Sequence, residues 1–197
     1  MERIVFTLSQ RKKKVGFGLT PIFTLSSQPI SNFDGRQKVF EIGSILTGTV
    51  DLNRLNTVTY GAGFVSNNNI LDLGFLTDIM RTNALVVQGG YYRKFLFIED
   101  VNLNFSAGLN AIYQNGIRKF ATDLVQNQKQ SFQSLTLAPV LRIEFAITKY
   151  FSVHSSIGIG FSYTTADWQN VFYINNFWLK PLQRNNLLGQ TGFTIFL

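Results

Sequence analysis

From Phe151 to Tyr163 the chain alternates. Phe151, Val153, Ile157, Ile159, Phe161 and Tyr163 are apolar or aromatic, with only Ser155 breaking their series, and the residues between them are Ser152, His154, Ser156, Gly158, Gly160 and Ser162. A period of two with one apolar face and one small, polar face is the pattern of a β-strand. The same alternation runs through 15–26, where Val15, Phe17, Leu19, Phe23 and Leu25 stand against Gly16, Gly18, Thr20 and Thr24, and through 101–112, 135–147 and the closing segment 187–197. It is weaker in 38–50, 56–65 and 83–96, although Val58, Tyr60, Ala62 and Phe64 still oppose Thr57, Thr59, Gly61 and Gly63.

The polar face decides which side is the interior. A soluble sandwich or barrel carries Lys, Glu and Arg on its solvent face. Here that face is Gly, Ser, Thr and Asn with little charge, which suits a narrow lumen, and the long aromatic set suits lipid. Strands of about 11–13 residues match a tilted bilayer crossing. The pattern therefore predicts an all-β fold: an antiparallel, up-and-down transmembrane β-barrel.

Tight connections at Asp51–Leu55, Ile98–Asp100 and Thr148–Tyr150 alternate with longer ones near 27–37, 66–82, 114–132 and 166–186. Short turns at one end and long loops at the other predict eight strands, at about 14–26, 38–50, 56–65, 83–96, 101–113, 133–147, 151–165 and 187–197. Ile70–Met80 is apolar for a loop, so it either extends two strands or forms its own hairpin, which would make ten. Pro139 has no N–H for the ladder and predicts a bulge or a locally unpaired site.

Composition narrows the chemistry. The 197 residues include no Cys and one His, His154, which leaves no thiol chemistry and no His-based metal site; no cofactor is expected. Charged residues are 15%, and Phe alone accounts for 19 positions. Residues 1–13 form a basic tail before a single barrel domain, 14–197. Through Lys14 the chain start holds five basic residues against Glu2, +4 of the net +7. Such a cluster suits anionic headgroups. No nucleic-acid recognition fold follows it, so no nucleic-acid partner is expected. The run Ile4–Leu8 is too short for a secretory signal.

The chain ends Thr191-Gly192-Phe193-Thr194-Ile195-Phe196-Leu197, which resembles the closing strand of bacterial outer-membrane barrels. The pieces Tyr91-Tyr92-Arg93-Lys94-Phe95 and Ile147-Thr148-Lys149-Tyr150-Phe151, each leading to a Gly-rich strand, resemble small outer-membrane barrels of the Bacteroidota. The resemblance implies an outer-membrane location, lipopolysaccharide as surroundings, and a mature chain that has lost its signal peptide.

His154 and Ser156 share a face and resemble the His-x-Ser pair of lipid A 3-O-deacylases, also eight-stranded barrels. The residue after that family's Ser is Asn, here Ile157, and the last strand offers Gln190 where the family has Glu. A hydroxyl nucleophile needs a base, and the base an orienting acid, so no enzyme is expected. Glu41, Lys94, Arg142, Glu144 and His154 are expected to face the lumen as a polar, ion-paired filling. The aromatic loop 166–186, with Trp168, Phe172, Tyr173, Phe177 and Trp178, is the candidate partner contact. The expected function is a non-enzymatic barrel serving as an accessory or scaffold subunit of an envelope secretion or uptake complex, with other envelope proteins as partners. The alternatives are a channel for small solutes or hydrophobic compounds, and a lipid A-modifying hydrolase using His154 and Ser156.

Overall fold

The computed structural model describes residues 14–29, 36–72, 77–122, 128–166, 169–175 and 190–197. They form strands β1 (Val15–Pro29), β2 (Arg36–Asp51), β3 (Asn56–Asp72), β4 (Thr77–Ile98), β5 (Leu103–Thr122), β6 (Gln128–Ala146), β7 (Phe151–Gly158), β8 (Gly160–Ala166), β9 (Gln169–Asn175) and β10 (Gln190–Phe196). A one-turn 3-10 segment, Glu99–Val101, is the only helical piece among the described residues.

Polar side chains close the short turns. Asn53 Oδ1 accepts from the backbone N–H of Leu55 and Asn56 at 2.9 and 2.8 Å. Thr148 Oγ1 accepts from the N–H of Tyr150 and Phe151 at 3.2 and 3.0 Å. In the third turn Asn102 takes the left-handed conformation, φ 50°, that Asn tolerates better than most residues.

The strands pair antiparallel with their chain neighbours, and β10 pairs with β1, which closes the sheet. β7 and β8 continue one another in a single register on β6, with Val140 opposite Gly158 and Leu137 opposite Phe161. The ring therefore has eight places, and β9 is an extra strand hydrogen-bonded to β8. The stagger follows from the pairing. From Phe193 successive outward-facing partners are Leu19, Leu46, Ala62, Val87, Tyr113, Leu135 and Tyr163. Phe193's other partner is Val153, so one circuit ends ten residues further along the same strand. Eight strands with that stagger tilt by about 40–45° and enclose a space just wide enough for their own side chains.

The expected strands are present and mostly longer. Ile70–Asp72 belongs to β3 and Thr77–Met80 to β4, so this apolar segment extends two strands and makes no hairpin of its own. Part of the expected loop 166–186 is strand β9. The irregularity expected at Pro139 is a break without a register shift. The strand on β6's far side is interrupted at Ile159, whose N–H donates to the Pro139 carbonyl at 3.3 Å. Pro139 has no N–H to return that bond.

Burial follows the alternation. Among the described residues thirty large apolar side chains are exposed, against twelve buried apolar residues, so the apolar surface lies mainly outside the sheet. The interior is in turn largely polar, with Thr49, Asn104, Ser106, Ser152 and Thr194 buried.

Candidate functional site

The interior changes character along the barrel axis, from polar through an apolar layer to polar again. Toward the short turns it is polar and charged. Asp51, the last residue of β2, accepts from Thr57 Oγ1 at 2.6 Å and pairs with Lys94 Nζ at 3.1 Å. A β-bulge between Lys94 and Leu96 locally resets the ladder, with Lys94 part-buried and Phe95 turned outward against Phe105. On β6 and β7, Arg142 stands opposite Ser156 and Glu144 opposite His154. All four are buried, and Arg142 Nη2 lies 3.7 Å from Glu144 Oε2.

Further from the short turns lies an apolar layer, beyond which the lumen is polar again at Thr136, Ser134 and Gln130 of β6. Ile22, Ile45, Val65, Val86, Ile112, Ala138 and Val140 form one buried cluster with Tyr92. Each lies beyond the polar residue on its own strand: Ile22 beyond Thr20, Ile45 beyond Thr47, Ile112 beyond Asn110, Val140 beyond Arg142. Ile22, Ile112, Ala138 and Val140 stand on the face expected to line the lumen and make this part of it apolar. Tyr92 joins this layer to the charged end. Its ring is part of the apolar cluster, its hydroxyl donates to Asn110 Oδ1 at 2.7 Å, and the Arg142 guanidinium lies over its face, 5.2 Å from the centroid. Side chains fill a section of this girth, and the cluster offers few polar groups to hold water, Gln88 between Val86 and Tyr92 being one.

Of the five expected interior residues, the structure brings Arg142, Glu144 and His154 together and places Lys94 separately with Asp51. Glu41 is half-buried on the lumen side of β2, opposite Asn67 and Thr24. Asp51 was not legible as an interior acid, because an Asp at the start of a tight connection reads as a turn residue. Glu144 lies beside His154 because the tight turn at Thr148–Tyr150 folds β7 back on β6 as a hairpin. This neighbour makes no catalytic triad: Glu144 is ion-paired to Arg142, and His154 Nδ1 has no hydrogen-bond partner. Among the described residues no group of three His, Cys, Asp or Glu side chains converges to hold a metal ion.

Phe172 and Tyr173 lie on β9, while Trp168, Phe177 and Trp178 and the basic tail 1–13 lie outside the described residues. The outward apolar band covers about eleven residues on each of several strands, as from Leu103 to Tyr113 on β5 and from Leu135 to Phe145 on β6. It gives way to Asn115, Lys119, Gln133 and Lys129 toward the long-loop end.

These features define a closed, antiparallel, eight-stranded β-barrel with an additional strand, a filled lumen and an apolar exterior. The chain matches no known family model, and no curated protein is significantly similar to it.

Proposed function

We propose that this barrel is an integral outer-membrane protein that transports nothing through its lumen and acts through its surfaces, as an accessory or scaffold subunit of a larger envelope complex. One observation carries the membrane part of the reading: thirty large apolar side chains of the described residues are exposed in a band around the barrel, while buried threonines, serines and charges lie within it. Apolar patches on soluble monomers reach a few hundred Å². A continuous band around a closed barrel exceeds that and has the height of a bilayer core.

The accessory role is supported by the lumen. The Ile45–Val86–Val140 layer and the ion pairs below it fill the section, so the remaining working surfaces are the lipid face, the short turns, the tail and the long loops. Purification of the tagged chain from native membranes tests the role. Co-purifying envelope proteins that are released by Phe177→Ser with Trp178→Ser, with barrel folding intact, support it. A chain that leaves the membrane alone under mild detergent, with either sequence, contradicts it.

A further inference from the structure

Three cations stand side by side on the outside of the barrel. The register sets Arg81 of β4 directly opposite Lys119 of β5, and Lys119 directly opposite Lys129 of β6. All three side chains are exposed on the outward face. Residues directly opposite in an antiparallel sheet have Cβ atoms about 4.5–5.5 Å apart, and like charges there destabilise the pairing. No carboxylate of the described residues forms an ion pair with any of the three.

The position of the row identifies what would neutralise it. Lys119 lies two residues past Ile117, and Arg81 four residues past Leu85, two of the exposed apolar residues at the upper edge of the band. The next positions below the row are Asn83, Ile117 and Ser131, paired in the same order, and Asn68 of β3 stands beside Arg81. A ligand here meets three cations and the Asn68 amide at one level, Ile117 flanked by Asn83 and Ser131 at the next, and Leu85 below them. That order suits one chemistry: a phosphate-bearing headgroup whose acyl chains lie along the barrel wall.

We propose that Arg81, Lys119 and Lys129 form a binding site for the phosphate groups of an outer-leaflet glycolipid of the lipid A class. The proposal rests on the membrane reading above. Arg81 offers the paired N–H groups that suit phosphate oxygens, and the two lysines add charge and mobile donors. Arg118, on the lumen side of the same level and stacked 4.3 Å from the Phe132 centroid, adds positive potential to this sector. Binding places an anion between cations that otherwise repel, so the ligand stabilises the upper β4–β5–β6 sheet while it is bound.

The test uses the full chain folded into phosphatidylcholine vesicles containing bisphosphorylated lipid A, with dephosphorylated lipid A as the control lipid. After flotation and mild detergent extraction, native mass spectrometry counts retained lipid. The parent is expected to keep bisphosphorylated lipid A and to release the dephosphorylated form. Arg81→Gln with Lys119→Gln and Lys129→Gln should weaken retention by the order of a hundredfold, since each basic side chain near an anionic surface contributes roughly a factor of five. The single Lys119→Gln, at the centre of the row, serves where the triple variant does not fold. In detergent without phosphate-bearing lipid, the variants should be no less stable than the parent. Equal retention by parent and folded variant, or equal retention of both lipids, overturns the proposal. Binding of inorganic phosphate alone, with displacement of the lipid at millimolar concentration, also overturns it and marks a site for free phosphate. Protein that stays in the aqueous fraction overturns the membrane reading and the lipid site together, whereas protein that floats without discriminating overturns the site alone.

Discussion

Leu46→Arg separates a barrel in lipid from a barrel in water. Leu46 is 69% exposed on the outward face of β2, five residues from Asp51 at the short-turn end. Its cross-strand partners are Leu19 and Ala62, both outward. On a water-facing surface such a change moves stability by about 0.5 kcal/mol or less. Near a bilayer midplane an arginine on the lipid face of a barrel costs roughly 2–4 kcal/mol. That corresponds to a factor of about 30 to 900 in the folding equilibrium. Asn115→Arg provides the depth control. Asn115 is also outward and exposed, on β5 past Tyr113, where the cost should fall to about 0–1 kcal/mol. Urea-dependent folding into phosphatidylcholine vesicles measures both variants in one assay. The reasoning predicts a large loss for Leu46→Arg and a small one for Asn115→Arg. Equal costs at the two positions would refute the face assignment, the depth assignment, or both.

Three further outcomes follow from the interior. Planar-bilayer recording of the purified barrel should show no stable open state, because the apolar layer containing Ile45, Val86 and Val140 interrupts any water path; a reproducible conductance would favour the channel reading. Arg142→Met alone should destabilise by about 3 kcal/mol by leaving Glu144 buried without its cation, and adding Glu144→Leu should recover most of that loss in the same urea assay; a double variant no better than the single would show that the ion pair is not the source. Lipid A mass spectra from cells with and without the protein should match, since His154 and Ser156 face a closed interior; an acyl loss abolished by His154→Ala would reinstate the hydrolase reading.

The strands were legible where the two faces meet different surroundings. Between Leu103 and Tyr113, or between Leu135 and Phe145, apolar and small residues alternate because one face lies outside the barrel and the other is packed within it. Past the apolar band this contrast disappears. Asn67, Asn68 and Asn69 read as a loop, yet they pair with Thr82, Arg81 and Met80 in the backbone ladder. β9 was missed for a different reason. Val171-Phe172-Tyr173-Ile174 has strand propensity, but its aromatics were read as a contact surface. The apolar layer in the lumen did leave a trace: Ile22, Ile112, Ala138 and Val140 break the alternation by standing on the polar face. Along the sequence they look like scattered exceptions, and only the stagger of the strands brings them to one level. The pairing Asp51–Lys94, which spans β2 and β4 across β3, depends on the strand registers, which the long β3–β4 connection does not specify.

The inside-out arrangement has one direct measurement. The chain contains no cysteine, so single cysteines placed along β6 carry a fluorophore at unique positions. With the protein in vesicles containing brominated lipid, labels at Leu135, Leu137, Leu141, Ile143 and Phe145 should be strongly quenched, and most strongly near Leu141. Labels at Thr136, Ala138, Val140 and Glu144 should be quenched weakly by the lipid and by aqueous iodide alike. Iodide quenching at the odd-numbered positions, or lipid quenching without the two-residue period, would contradict the account.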